Sequence, residues 1–100
     1  MNKIKTVFVV GRYKQNAIVT LNEFRMEFGD YISTYRQGHI TLLNGVEIIA
    51  IAMEDEAKQL VGRTNWRRYS YDSFMEQCYR DAYYAAKKEL EEIENERTSS

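Results

Sequence analysis

Hydrophobic positions recur with two different periods along this chain. Thr6-Val7-Phe8-Val9-Val10 is an unbroken run, short and rich in β-branched residues, stopped by Gly11. Such a run predicts a strand buried on both faces. Over residues 14–28 the period changes. Ala17, Leu21, Phe24 and Phe28 step by 4, 3 and 4, which places them on one face of a helix. Gly29 stands where a residue in the left-handed region would close that helix. Residues 31–35 read as a short extended piece.

Two β-prone runs, His39-Ile40-Thr41-Leu42-Leu43 and Val46-Glu47-Ile48-Ile49-Ala50-Ile51-Ala52, flank Asn44-Gly45. Asn-Gly between such runs predicts a hairpin, with positive φ at both turn residues. After Glu47 the second run is apolar on both faces and belongs inside a sheet. Residues 54–61 read as a short helix, with acids in its first turn and Gly62 at its stop. Residues 63–66 read as a polar loop, and Tyr69-Ser70-Tyr71 as one more strand. Asp72 or Ser73 can then cap a long final helix. Its stripe is Met75, Tyr79, Ala82, Ala86, Leu90 and Ile93, at steps of 4, 3, 4, 4 and 3. The expected fold is a small layered α/β (or α+β) domain of order β-α-β-β-α-β-α, with residues 31–35 as an optional extra strand.

The chain has 100 residues, no proline and five glycines. That predicts a single ordered domain, here residues 1–96, followed by a frayed tail at 97–100. No apolar run approaches the roughly 18 residues of a membrane span. The first residues carry no secretory pattern, so the expected compartment is the cytoplasm. Net charge is −1 overall, but residues 1–52 carry +2 and residues 53–100 carry −3. A strongly basic nucleic-acid face is therefore absent, and any such face has to be local. The acidic last helix does not suit a membrane surface.

Chemistry is constrained mostly by what is missing. None of the glycines is followed by Lys, and neither GxxxxGK[ST] nor GxGxxG occurs, so standard nucleotide hydrolysis is not expected. One histidine, His39, and one cysteine, Cys78, are too few for a zinc or iron site. Cys78 lies close to the inward stripe and reads as a small hydrophobe. No cofactor is expected. Arg63, Trp66, Arg67 and Arg68 form a cluster with binding character, through bidentate contacts and a stacking face. Arg12, Lys14 and Lys5 join it if the carboxyl end of the first strand lies nearby. The competing reading pairs these arginines with Glu54-Asp55-Glu56 and the acidic tail. Tyr83 and Tyr84, beside Lys87, either form a partner-binding face, including a homodimer seam, or cover the edge of the domain's own sheet.

The order of signals resembles the middle of the ATPase domain of the large terminase of tailed phages. The residues that carry this are Lys5 to Val10 with Gly11-Arg12, Ile40-Thr41-Leu42-Leu43-Asn44-Gly45-Val46-Glu47-Ile48-Ile49, Glu54 to Leu60 with Gly62-Arg63-Thr64, and Tyr69-Ser70-Tyr71-Asp72 in the place of the Walker B strand. The resemblance covers roughly residues 5–75. Its P-loop elements are missing, and Asp72 is followed by Ser73 where the family has a second acid. The resemblance implies Asp72 as the metal-holding position and a phage-encoded, DNA-packaging context in a bacterial host. It also implies an open sheet edge beside the first strand if a strand is lacking.

Three functions follow as expectations. The first is a non-catalytic phage-type accessory protein that binds DNA or a protein through the Arg/Trp patch. The second is a small inhibitor that docks on a host or defence protein through the Tyr-rich acidic helix. The third, held against the absence of a catalytic set, is a magnesium nuclease using Asp72, Glu47 or Glu54.

Overall fold

The computed structural model describes residues 4–98, with side chains described through residue 95. It is a mixed α/β domain with five strands in one sheet, three α-helices and two 3-10 turns. The strands are β1 (Thr6–Gly11), β2 (Ile32–Arg36), β3 (His39–Leu42), β4 (Glu47–Ala52) and β5 (Trp66–Ser70). The helices are α1 (Lys14–Phe28), α2 (Glu56–Leu60) and α3 (Phe74–Thr98), with 3-10 turns at Gly29–Tyr31 and Met53–Asp55. The sheet order is β2-β3-β4-β1-β5. β1 runs parallel to both β4 and β5, while β2-β3-β4 is an antiparallel meander.

β1 is an interior strand, between β4 and the edge strand β5, and both of its edges are hydrogen-bonded. The open edges are β2 and β5, so no open edge lies beside the first strand. Alternation along the strands divides the core in two. Val9, Ile40, Ile48 and Ala50 face α1 and the start of α3, where Ala17, Leu21, Phe24 and Phe74 meet them. Phe8, Val10 and Ile51 face the other way, under Leu60 of α2 and Trp66. Phe8 is fully buried, with the Trp66 ring edge-on at 6.3 Å and the Arg63 guanidinium 5.2 Å from its centroid.

α1 spans the residues its period predicts. Gly29 does not end it in the left-handed region. Its φ of −56° is helical, and the chain tightens into the 3-10 turn instead. Gly62, at φ +75°, does follow α2 as a left-handed stop. The Asn44-Gly45 hairpin forms, but not with two positive φ angles. Only Gly45 is left-handed; Gly45 N–H donates to Leu42 O at 3.0 Å, and Asn44 Oδ1 accepts from Val46 N–H. That is a longer loop with one bulge glycine.

The optional strand forms, and one other strand differs from expectation. The extra strand at residues 31–35 is real, as β2, and joins β3 through Gln37-Gly38 with Gly38 at φ +79°. β5 begins at Trp66, three residues before the expected strand, so Trp66, Arg67 and Arg68 are strand residues rather than loop. An edge strand bonded on one side tolerates such charged side chains, which is why it read as polar loop.

α3 is continuous to Thr98; Ser99 and Ser100, the end of the expected frayed tail, lie outside the described residues. So do residues 1–3 of the N-terminal segment. Among the described residues no helix is long and apolar enough to cross a membrane.

Candidate functional site

The arginines expected to act together are distributed over both faces and both ends of the sheet. Successive strand residues point to opposite faces, so Arg67 and Arg68 diverge. Arg67 lies on the α1/α3 face, with Nη1 3.5 Å from the Tyr69 hydroxyl. Arg68 lies on the α2 face, where its Nε donates to Glu56 Oε1. Arg63 covers Phe8 on that same face, beside Trp66. The pairing of Arg68 with Glu56 is the contact anticipated by the competing reading. Arg12 and Lys14 do not join the set. The register puts Trp66 opposite Thr6, so β5 starts at the amino end of β1, whereas Arg12 follows its carboxyl end. Six strand residues of about 3.3 Å each separate the two positions by roughly 20 Å. Arg12 instead sits over the Tyr13 ring at 5.7 Å.

Asp72 is exposed in the turn between β5 and α3, in a crevice with Glu23, Thr20 and Tyr71. Glu47 lies at the other end of the sheet, opposite Thr6, with an oxygen 3.6 Å from His39 Nε2. Among the described residues no group of three or more His, Cys, Asp or Glu is placed to hold a metal ion. Cys78 is partly buried against the core, and burial, with Asp81 nearby, pushes its thiol up to about 12. A thiol so protonated is a poor nucleophile.

The largest exposed feature is α3. Its first turns are docked. Phe74 is 3% exposed and its ring lies 5.7 Å from Phe24 and 5.9 Å from Tyr69. Met75 and Cys78 pack on the same core, and the Tyr79 ring lies 5.5 Å from Phe28. Partial burial and the Glu27 and Glu23 carboxylates of α1 push the Tyr79 phenol up. The β5–α3 turn is fixed from below by Thr20, whose hydroxyl lies 3.1 Å from Tyr71 O.

Beyond Tyr79 the helix leaves the body. Tyr83 and Tyr84 are each 65% exposed, edge to face at 5.8 Å, so they do not cover the sheet edge. Leu90 is 62% and Ile93 44% exposed. Between the departing helix and the body runs an apolar groove of about 390 Å³, walled by Phe28, Tyr31 and Leu42 on one side and Ala82 and Ala86 on the other.

The stripe that predicts α3 therefore packs only over its first third. Leu90, Ile93, Ala82 and Ala86 are the surface residues the period assigned to the interior. Length is the signal that separates them. A 25-residue helix spans about 37 Å, whereas strands of five or six residues span roughly 17–20 Å. The sheet is too short to cover the helix, whatever its stripe.

Compared with known proteins, the chain matches no family model, no curated protein and no solved structure.

Proposed function

We propose that this is a non-catalytic binding protein whose recognition element is the projecting half of α3. One observation carries the reading: an amphipathic helix continues beyond its own body with Tyr83, Leu90 and Ile93 exposed on it. Aromatic and aliphatic side chains held on a rigid helix lose little further entropy on docking, and such exposed apolar surfaces serve as interaction sites. The acids at 89, 91, 92 and 94 keep this half soluble. The reading favours protein contact over the DNA contact of the arginine cluster, because Arg67 and Arg68 face opposite ways and Arg68 is held by Glu56. A phage accessory or inhibitory role is compatible with a protein that acts by occupancy.

The test is site-specific photo-crosslinking in cells that produce the protein. With a photoactivatable phenylalanine at position 90, we expect one or a few discrete protein adducts. The same probe at Gln59, on α2, should give none. Absence of any adduct at position 90 would sink the reading.

A further inference from the structure

The geometry points to a second copy of this chain as the occupant of the α3 surface, paired antiparallel about Ala86. This rests on the reading of α3 as a docking element and names its partner. The apolar positions Tyr79, Ala82, Ala86, Leu90 and Ile93 step by 3, 4, 4 and 3, so the stripe is symmetric about Ala86. A two-fold interface must be self-complementary, and a palindromic stripe supplies that directly. Antiparallel pairing at this centre sets Tyr79 against Ile93 of the second copy, Ala82 against Leu90, and Ala86 against Ala86. Each large side chain other than the terminal pair meets a small one. Alanine at the crossing lets the axes approach toward the lower end of the 8–10 Å range for packed helices.

Three further features agree. The stripe from Tyr79 to Ile93 is about 21 Å long, and the body occupies only the amino end of α3. Antiparallel pairing therefore places the two bodies at opposite ends of the seam, whereas parallel pairing would crowd them together. The groove walled by Phe28, Tyr31 and Leu42 lies alongside Ala82 and Ala86, where Leu90 and Ile93 of the second copy arrive. On one flank Arg80 comes opposite Glu91 of the second copy, twice by symmetry. Among the described residues Arg80 is held only by an exposed pair with Glu76 at 2.7 Å, a contact easily exchanged. The other flank carries Asp81, Glu89 and Glu92 from both copies. The seam must therefore be held by apolar burial and should survive salt.

Sedimentation equilibrium from 1 to 200 µM tests the association. We expect a dimer that persists in 0.5 M NaCl. Leu90→Glu with Ile93→Glu should weaken it at least 100-fold while circular dichroism of the fold is unchanged, since both residues are exposed in the single chain. Orientation is read by disulfide trapping in a Cys78→Ala background. A mixture of Ala82→Cys and Leu90→Cys chains should give the mixed disulfide in excess over either self-linked product. Self-linked products in excess would overturn the antiparallel register. A chain that stays monomeric at 200 µM would overturn the dimer. If such a monomer still crosslinks through position 90 to a different polypeptide, the docking reading stands without the dimer. If it crosslinks to nothing, both fail.

Discussion

A methyl group added at Gly11 would stand 2.6 Å from Tyr13 O, 2.8 Å from Asn16 Cβ and 3.0 Å from Ala17 N. These atoms form the first turn of α1 and are mostly backbone, so no flexible side-chain end can move aside. Gly11→Ala should cost about 1–3 kcal/mol, read as a lower urea midpoint at unchanged slope. Gly29 is the control. Its φ is helical and nothing lies within 4 Å of an added Cβ. Gly29→Ala should stabilise by about 0.4–1 kcal/mol through the unfolded chain. At Cys78 the thiol's ordinary value near 9 is raised to about 12 in the folded protein. The folded state thus favours the protonated form. The stability this contributes is complete below about pH 9 and is lost as pH rises toward 12, and the raised Tyr79 phenol acts in the same direction. Cys78 should react with a thiol reagent at pH 8 more than tenfold slower in the native protein than in denaturant, as followed by absorbance. Equal rates would contradict its burial.

At the level of elements, Phe74 is the hinge pin of α3. It joins Phe24 of α1 to Tyr69 of β5, and among the described residues no other α3 side chain is as buried. Phe74→Ala should cost about 3–5 kcal/mol, and amide exchange in residues 74–79 should rise to the level of the outer turns. Much of this organisation was legible in the sequence, and unevenly so. α1 and β4 could be read because each is buried along its length, so local period and tertiary burial agree. Tyr83 and Tyr84 were legible as off-stripe and are exposed. The edge strands were harder. β2 and β5 bond on one side only, and Thr34, Arg36, Arg67 and Arg68 are compatible with loop or strand until a neighbour is known. The fate of the outer α3 stripe was not legible from period alone. Leu90 and Ile93 have the spacing of core residues, and only the length of the sheet leaves them outside. The Arg63–Arg68 cluster divides for a related reason: strand alternation sends Arg67 to the opposite face, while Arg63, Trp66 and Arg68 share the α2 face.

As a whole molecule, the chain is longer than its size suggests. Its principal extents are 56 × 30 × 23 Å and its radius of gyration is 15.8 Å, against about 13 Å for a compact 100-residue domain. Small-angle scattering at a concentration that keeps the chain monomeric should return the larger value; a value near 13 Å would mean that α3 folds back on the body. The placement of β1 has a further consequence, for biogenesis. This strand, bonded on both sides in the finished sheet, is synthesised before both partners, which follow it by about forty residues for β4 and about sixty for β5. At translation speeds of about 5–20 residues per second, Val7-Phe8-Val9-Val10 waits on the order of 3–12 s for its last neighbour. A nascent chain of this kind is a natural client for ribosome-associated chaperones, and its yield should depend on elongation rate more than its equilibrium stability would suggest.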